Sequence, residues 1–451
     1  MASDQLVLVD VRPAWRRLLL VPIVALCLIG AWMVARWCIG HTMAERAPDA
    51  ATARAAVSLA PSDPQPYYSL AVLSAREALT TEEVAAALED YERAVARSPY
   101  EYRLWMELGR AREQAGDPTG GEKALKRAVE LAPHYAQPRW MLGNLLLRQG
   151  RADEAFEQLK VAGEADPSLR PQIFHLAWRA YDGRLATVIA KVGGSPGARA
   201  QLVQYLLGLK RLDDAVQLWN SLNADEKRAQ REAGDALIKA AFEAKRFRLV
   251  LDLYRALEPD VPAAVGRLIN GDFEEDIATY GTSLFGWQIA QTEQPQVRLD
   301  ARTAYSGERS LRLIFNAPKT VEFRGVSQFI VVEPATRYRL SYFFRTENLK
   351  SASTLIVQVV DAGAPDRVLA ESAPVPDGSN EWQPVVLDFA TTPQTEAITV
   401  RIVREPCFSA VCPIFGKIWY DKFSFEQIGN GASLGERRGN DRGGNQNGTG
   451  R

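Results

Sequence analysis

Between residues 50 and 258, apolar and small side chains recur at helical spacing; beyond residue 270 they alternate one by one. The first pattern predicts amphipathic helices, and the second predicts half-buried strands. In Tyr102–Pro133, for instance, Leu104, Trp105, Leu108 and Ala111 fall on one helical face. Gly116-Asp117-Pro118 then breaks the helix, and Leu125, Ala128 and Val129 line a second one. Before all of this, Leu18–Ala35 carries no charge. That run predicts a helix apolar on every side, which a surface helix of a soluble domain is not.

The helical half repeats itself. Leu108-Gly109 recurs as Leu142-Gly143, Gly116 as Gly150, Leu125 as Leu159, Ala128 as Ala162 and Pro133 as Pro167, each about 34 residues on. Ala87, Ala94 and Pro99 hold the same positions one step earlier. This period, with its small residues, Leu-Gly pair and closing proline, resembles the tetratricopeptide repeat. One helix pair cannot bury its own apolar face, so stacking into a solenoid follows. After Pro167 the period decays but the helical pattern continues. Gln172–Tyr181, Arg184–Lys191, Arg199–Leu209, Leu212–Leu222, Glu232–Ala244 and Phe247–Leu257 all read as amphipathic helices, up to a stop at Glu258-Pro259. The expected solenoid spans 50–258.

Strands are expected at Arg309–Phe315, Val326–Val332, Tyr338–Arg345, Thr354–Val360, Trp382–Phe389 and Ala397–Arg404, separated by turn signals such as Ser306-Gly307 and Asp377-Gly378. That spacing predicts a β-sandwich over 268–428. Asn270-Gly271-Asp272-Phe273-Glu274, Gly286-Trp287, Gly307-Glu308-Arg309-Ser310-Leu311, Trp382-Gln383 and Trp419-Tyr420-Asp421 follow in order. This series resembles the jelly-roll carbohydrate-binding modules of the galactose-binding-like type. The resemblance implies a structural calcium ion at Glu274 and Asp421, with Glu308 and Asp272 less secure. Two carboxylates alone fall short of the six or more oxygens that calcium takes. The resemblance also puts Trp287 and Trp382 in the core and leaves no sugar platform identifiable.

Composition narrows the picture. Lys and Arg number 54 against 55 Asp and Glu, so there is no bulk electrostatic case for nucleic acid. The apolar run is long enough to cross a bilayer core, at roughly 1.5 Å per residue. Trp15, Trp32 and Trp37 stand at its ends. We read 18–39 as a single transmembrane helix behind a short cytoplasmic head, 1–17. Arg12, Arg16 and Arg17 favour a cytoplasmic amino end, with the bulk periplasmic or extracellular. A signal peptide cleaved at Thr42-Met43-Ala44 is the alternative.

Cys407 and Cys412 lie close in sequence with no further Cys or His after them. A metal pair would need two more ligands; a disulfide in an oxidising compartment fits better. His41, His134 and His175 are isolated, and no nucleophile elbow, zinc motif, phosphate loop or dinucleotide fingerprint occurs. The chain is therefore read as a non-enzyme with no catalytic residues. From Gly429 onward the composition predicts a disordered tail.

The tetratricopeptide resemblance implies a groove lined by first helices, at Arg76, Arg103, Arg110, Glu113, Trp140, Asn144 and Arg148. Its mostly basic character suggests an acidic protein segment or carboxylate terminus as ligand. The expected function is a membrane-anchored, envelope-exposed scaffold whose sandwich contacts glycan or protein, with a role in polysaccharide assembly or export as one setting. The alternative is an accessory or enzymatic component of polysaccharide metabolism that uses the sandwich as its carbohydrate-binding module.

Overall fold

The computed structural model describes residues 20–277, 283–290, 293–407 and 412–430. The head, 1–17, with Arg12, Trp15, Arg16 and Arg17, and the tail from 431 lie outside the described residues. The chain forms two compact units that divide between Tyr205 and Leu206.

The first unit is helical: α1 (Leu20–Glu45), α2 (Ala50–Leu59), α3 (Pro64–Glu77), α4 (Thr81–Arg97), α5 (Tyr102–Gln114), α6 (Pro118–Leu131), α7 (Ala136–Arg148), α8 (Ala152–Ala165), α9 (Arg170–Ala180) and α10 (Leu185–Val192). The helix α11 is Pro196–Gly208. The repeats are built by the residues that recur. Gly116 and Gly150 turn the chain at φ +85° and +78°, a region that favours glycine. Asp117 caps α6 by accepting the Gly120 N–H, with Pro118 in the first turn. Gly109 and Gly143 are close-approach positions: an added Cβ would meet Leu125 Cγ at 2.7 Å and Leu159 Cγ at 2.6 Å. Met106, Leu125, Ala128, Leu142, Leu145 and Ala155 form one buried cluster between successive hairpins.

The helix α1 is longer than the apolar run that predicts it. From Val21 to Val34 its side chains are exposed, with Leu26 at 69% and Trp32 at 61%. From Arg36 onward it packs on the first hairpin. Arg36 donates to the Ser58 carbonyl at 2.5 Å, His41 Nδ1 lies 2.7 Å from Asp63 Oδ2, and Ala44 is buried. A Cβ on Gly40 would meet Ala60 Cβ at 2.8 Å. The extension past residue 39 thus has a packing cause.

The second unit begins with α12 (Leu212–Asn220), α13 (Ala224–Ala229), α14 (Arg231–Glu243) and α15 (Phe247–Leu257). Among the described residues ten strands follow: β1 (Gln288–Ile289), β2 (Gln296–Asp300), β3 (Ser310–Ala317), β4 (Val326–Val331), β5 (Thr336–Lys350), β6 (Leu355–Asp361), β7 (Ala364–Glu371), β8 (Gly378–Ala390), β9 (Ala397–Arg404) and β10 (Ile414–Asn430). They make two antiparallel five-stranded sheets, ordered β1-β4-β9-β6-β7 and β2-β3-β10-β5-β8. Alternation fills the space between them. On β5, Tyr338, Leu340, Tyr342 and Phe344 face the core; on β9, Ile398, Val400 and Ile402 do so. Trp287 is core, as expected.

The α14–α15 hairpin belongs to this unit through an aromatic joint. Phe242 and Phe247 pack against Phe329 of β4 at 5.3 and 5.4 Å between ring centroids. Phe285 joins the same ring at 5.6 Å. Arg248 pairs with Glu333 at 2.7 Å, and Lys245 donates to the Gly363 carbonyl.

Candidate functional site

The helices α3, α5 and α7 are each the first helix of a hairpin, and α3 and α5 line one cleft. Arg76 and Arg110, one period apart, share a cleft of about 320 Å³ with Val72, Leu88, Tyr91 and Gln114. Tyr91 is 3% exposed, and burial pushes its hydroxyl up to about 12, with the Arg110 charge opposing. Arg110 Nη2 is 2.7 Å from Glu107 Oε2 on its own helix. Arg76 is exposed and has no ion-pair partner among the described residues. The cleft therefore offers an apolar wall, one tethered cation and one available cation.

The other expected groove residues divide. Arg148 and Glu113 pair with each other across two repeats, so neither is an independent ligand group. Asn144 donates to the Trp140 carbonyl at 2.8 Å within α7, and Trp140 is half-buried. Arg103 lies over the Tyr102 ring, 5.8 Å from its centroid, in a second and larger cleft of about 590 Å³. That cleft also holds His41, Asp63, Tyr68, Met106 and Glu107. Tyr91, Leu88, His41 and Asp63 were missed as lining residues. Tyr91 and Leu88 sit at core spacing on a second helix, and His41 lies past the expected span 18–39, on the extension of α1.

In the sandwich, Glu274 and Asp421 do come together, but as a clamp on the turn before β3. Glu274 Oε1 accepts the N–H groups of Glu308 and Arg309 at 2.8 and 3.1 Å. Asp421 Oδ2 accepts those of Tyr305 and Ser306 at 2.7 and 3.0 Å, and Oδ1 accepts that of Lys422. Burial raises the Asp421 carboxyl pKa, and the nearby Glu274 charge adds to the rise against those N–H bonds. N–H groups aimed at the carboxylates present positive dipoles where a cation would sit. Glu308 supplies its N–H to the clamp, and among the described residues no three acidic, histidine or cysteine side chains converge. The residues present do not fit a calcium ion.

The clamp also presents an aromatic group. Tyr305, held through its N–H by Asp421, stacks on Phe343 with centroids 3.7 Å apart and meets Trp382 edge-on at 5.8 Å. Phe343 lies between the inward-facing Tyr342 and Phe344, so it points to the outer side of its sheet, opposite Pro384. Trp382 is half-buried there rather than in the core, a departure from the expectation drawn from the resemblance. Tyr305 is 41% exposed and carries the Lys422 ammonium 5.7 Å from its centroid. The tyrosine comes from a turn, not a strand, so no alternation pattern pointed to it. Cys407 and Cys412 are joined by a disulfide.

Residues 72–136 and 106–169 match the family model described as tetratricopeptide repeat, so this part of the chain carries such repeats. No curated protein matches the chain's sequence at a significant level. Among solved structures, one titled "CBM4 structure and function" is similar at 14% identity over 36% of this chain and 99% of that chain, with a TM-score of 0.28. Two others are titled "MamA RS-1 ArsTM double mutant" and "MamA MSR-1 C2". They are 13% and 19% identical, cover 42% and 41% of this chain and 95% of each of theirs, and have TM-scores of 0.29 and 0.28.

Proposed function

We propose that this chain is a membrane-anchored interaction protein whose repeat cleft takes an acidic segment or carboxylate terminus of a protein partner. One observation carries the reading: Arg76 and Arg110 converge on a cleft walled by Val72, Leu88 and Tyr91, and among the described residues Arg76 has no carboxylate of its own. A guanidinium above an apolar wall suits a carboxylate attached to an apolar residue. The test is binding of the full chain to a peptide library synthesised with free and with amidated carboxyl ends. Arg76→Glu with Arg110→Glu should weaken free-carboxylate peptides at least tenfold. Equal binding by wild type and this double variant removes the cleft from the function.

Anchoring rests on α1, the described helix long and apolar enough to cross a membrane, from Val21 to Glu45. Its retention is supported by its far end. Cleavage after Ala44 would remove Gly40 and His41, which pack on Ala60 and Asp63. The disulfide fits a bulk exported to an oxidising compartment. Phosphatase fusions at Asn430 test the orientation, and amino-terminal sequencing of the mature protein tests retention. Activity on the cytoplasmic side, or a mature chain starting after Ala44, overturns the respective half.

A second binding surface, for glycan, is favoured by the Tyr305–Phe343–Trp382 group. Sugar rings stack on flat aromatic faces that keep a polar rim. A glycan array with the full chain, repeated with Tyr305→Ala, tests it. Binding that the substitution leaves untouched moves the sugar elsewhere, and no binding by wild type leaves a protein-contact role for the sandwich.

A further inference from the structure

At one end of the sandwich a cation is buried without a counter-ion among the described residues. Arg404, the last residue of β9, is 8% exposed. Its Nε donates to the Ser353 carbonyl at 3.1 Å and its Nη1 to the Val321 carbonyl at 2.9 Å. Nη2 donates to Ser351 Oγ at 3.0 Å, to the Cys412 carbonyl at 2.9 Å and to Cys412 Sγ at 3.2 Å. Among the described residues no carboxylate pairs with it, and burial lowers its pKa. Guanidinium groups are normally buried with an anion, because desolvation is otherwise uncompensated.

The two sulfurs differ in their surroundings. Cys412 is fully buried, with its N–H donated to Thr320 Oγ1 at 3.0 Å. Cys407 is half-buried and follows the exposed Pro406. Of the described groups that hydrogen-bond to Cys412, Arg404 is the charged one. As half of a disulfide, Sγ of Cys412 is a weak acceptor. As a thiolate it would give Arg404 the anion it lacks. Neighbouring cations lower thiol pKa values, and a thiol of low pKa leaves a disulfide faster.

We infer that Cys407–Cys412 is a thiol–disulfide exchange site that accepts electrons from a dithiol, with Cys407 the attacked sulfur and Cys412 the leaving group held by Arg404. The incoming thiolate bonds to Cys407 Sγ. The S–S bond breaks, and its electron pair leaves on Cys412 Sγ beside Arg404 Nη2. The second thiolate of the dithiol then attacks the sulfur bonded to Cys407 and expels Cys407 as a thiolate, which takes a proton. The dithiol becomes a disulfide, having given two electrons and two protons. One proton ends on Cys407 and the other in water, because Cys412 remains ionised. Arg404 acts as a positioning residue. The inference is independent of the repeat cleft.

The experiment uses the full chain in detergent with Cys27→Ser and Cys38→Ser, since those are the free cysteines of α1. Glutathione should form an adduct found by peptide mass spectrometry on Cys407 and not on Cys412. The dithiol-reduced protein should show thiolate absorbance at pH 7, titrating below the ordinary cysteine value of about 8.5. Arg404→Met should lower the equilibrium constant for reduction by dithiothreitol at least tenfold, about 30 mV, and abolish the thiolate signal at pH 7. Arg404→Lys should keep most of both. An adduct on Cys412, no thiolate at pH 7, or a disulfide that persists in a hundredfold excess of dithiothreitol overturns the inference. If Arg404→Met does not fold, the position of the adduct and the wild-type thiolate titration decide alone.

Discussion

Arg148 reaches back one repeat to Glu113, with its Nε and Nη2 2.6 and 2.8 Å from the two carboxylate oxygens. The bidentate pair neutralises what the sequence presents as part of a basic groove. Arg148 is 59% exposed, so water screens the pair. Arg148→Ala should lower stability by no more than about 1 kcal/mol in urea unfolding. It should also leave carboxylate-peptide affinity within twofold of wild type, in contrast to Arg76→Glu with Arg110→Glu.

Gly109 and Gly143 make the same contact one period apart, with Leu125 and Leu159. An alanine at either site forces a buried leucine aside. Each substitution should reduce stability by about 1–3 kcal/mol, the usual range for overpacking. The two losses should agree closely, because the repeats share one geometry. Chemical denaturation of both variants measures this, and a neutral Gly109→Ala would contradict the close approach.

Asp300 gives a pH signature. Burial opposes its ionisation, but hydrogen bonds from Trp419 Nε1 at 2.8 Å and the Arg302 N–H, with the Arg312 guanidinium at 2.9 Å, outweigh that and hold its carboxyl below the ordinary value. A depressed folded pKa contributes stability that is present above the unfolded value, near 3.9, and lost as pH falls through the folded value. Asp300→Asn should lower stability by about 1–3 kcal/mol at pH 7. The gap to wild type should shrink below about pH 4. Thermal unfolding from pH 7 to pH 3 provides the comparison, and a constant gap would refute the assignment.

Phe329 is the centre of the joint between the α14–α15 hairpin and the sandwich. Truncating it leaves Phe242, Phe247 and Phe285 around a hole. Phe329→Ala should cost about 3–5 kcal/mol. It should also let the hairpin lose its amide-exchange protection before the sandwich does. Hydrogen exchange resolved by segment would reveal this, and simultaneous loss would place the coupling elsewhere.

The clamp formed by Glu274 and Asp421 needs no metal to hold its turn. Adding calcium or a chelator should leave the thermal midpoint of the full chain unchanged. A rise of several degrees with calcium would mean that the carboxylates turn from their N–H donors to a cation.

The elements that packing dictates were legible. Phe247–Leu257 and Ala397–Arg404 were read to the residue, because their apolar periodicity is unbroken. β7 was missed because Ala364–Glu371 is an edge strand with exposed polar side chains and Pro365. β10 was hidden by its register shifts near Gly416 and Asp421, which break the alternation. The groove positions follow from the resemblance to the repeat family, but a resemblance does not reveal charge pairing. Only proximity in space shows that Glu113 cancels Arg148 while Arg76 has no ion-pair partner among the described residues. The Tyr305 stack was out of reach for the same reason, since its partners lie on strands distant in sequence.

The first helix carries one last implication. It passes from Trp32 to Ala44 without a break, and its final turns are wedged against Ala60 and Asp63. No swivel separates its greasy length from the opening hairpin. Any lean imposed on the one is inherited by the other, so whatever sets the angle of that length also aims the mouth between Arg76 and Arg110.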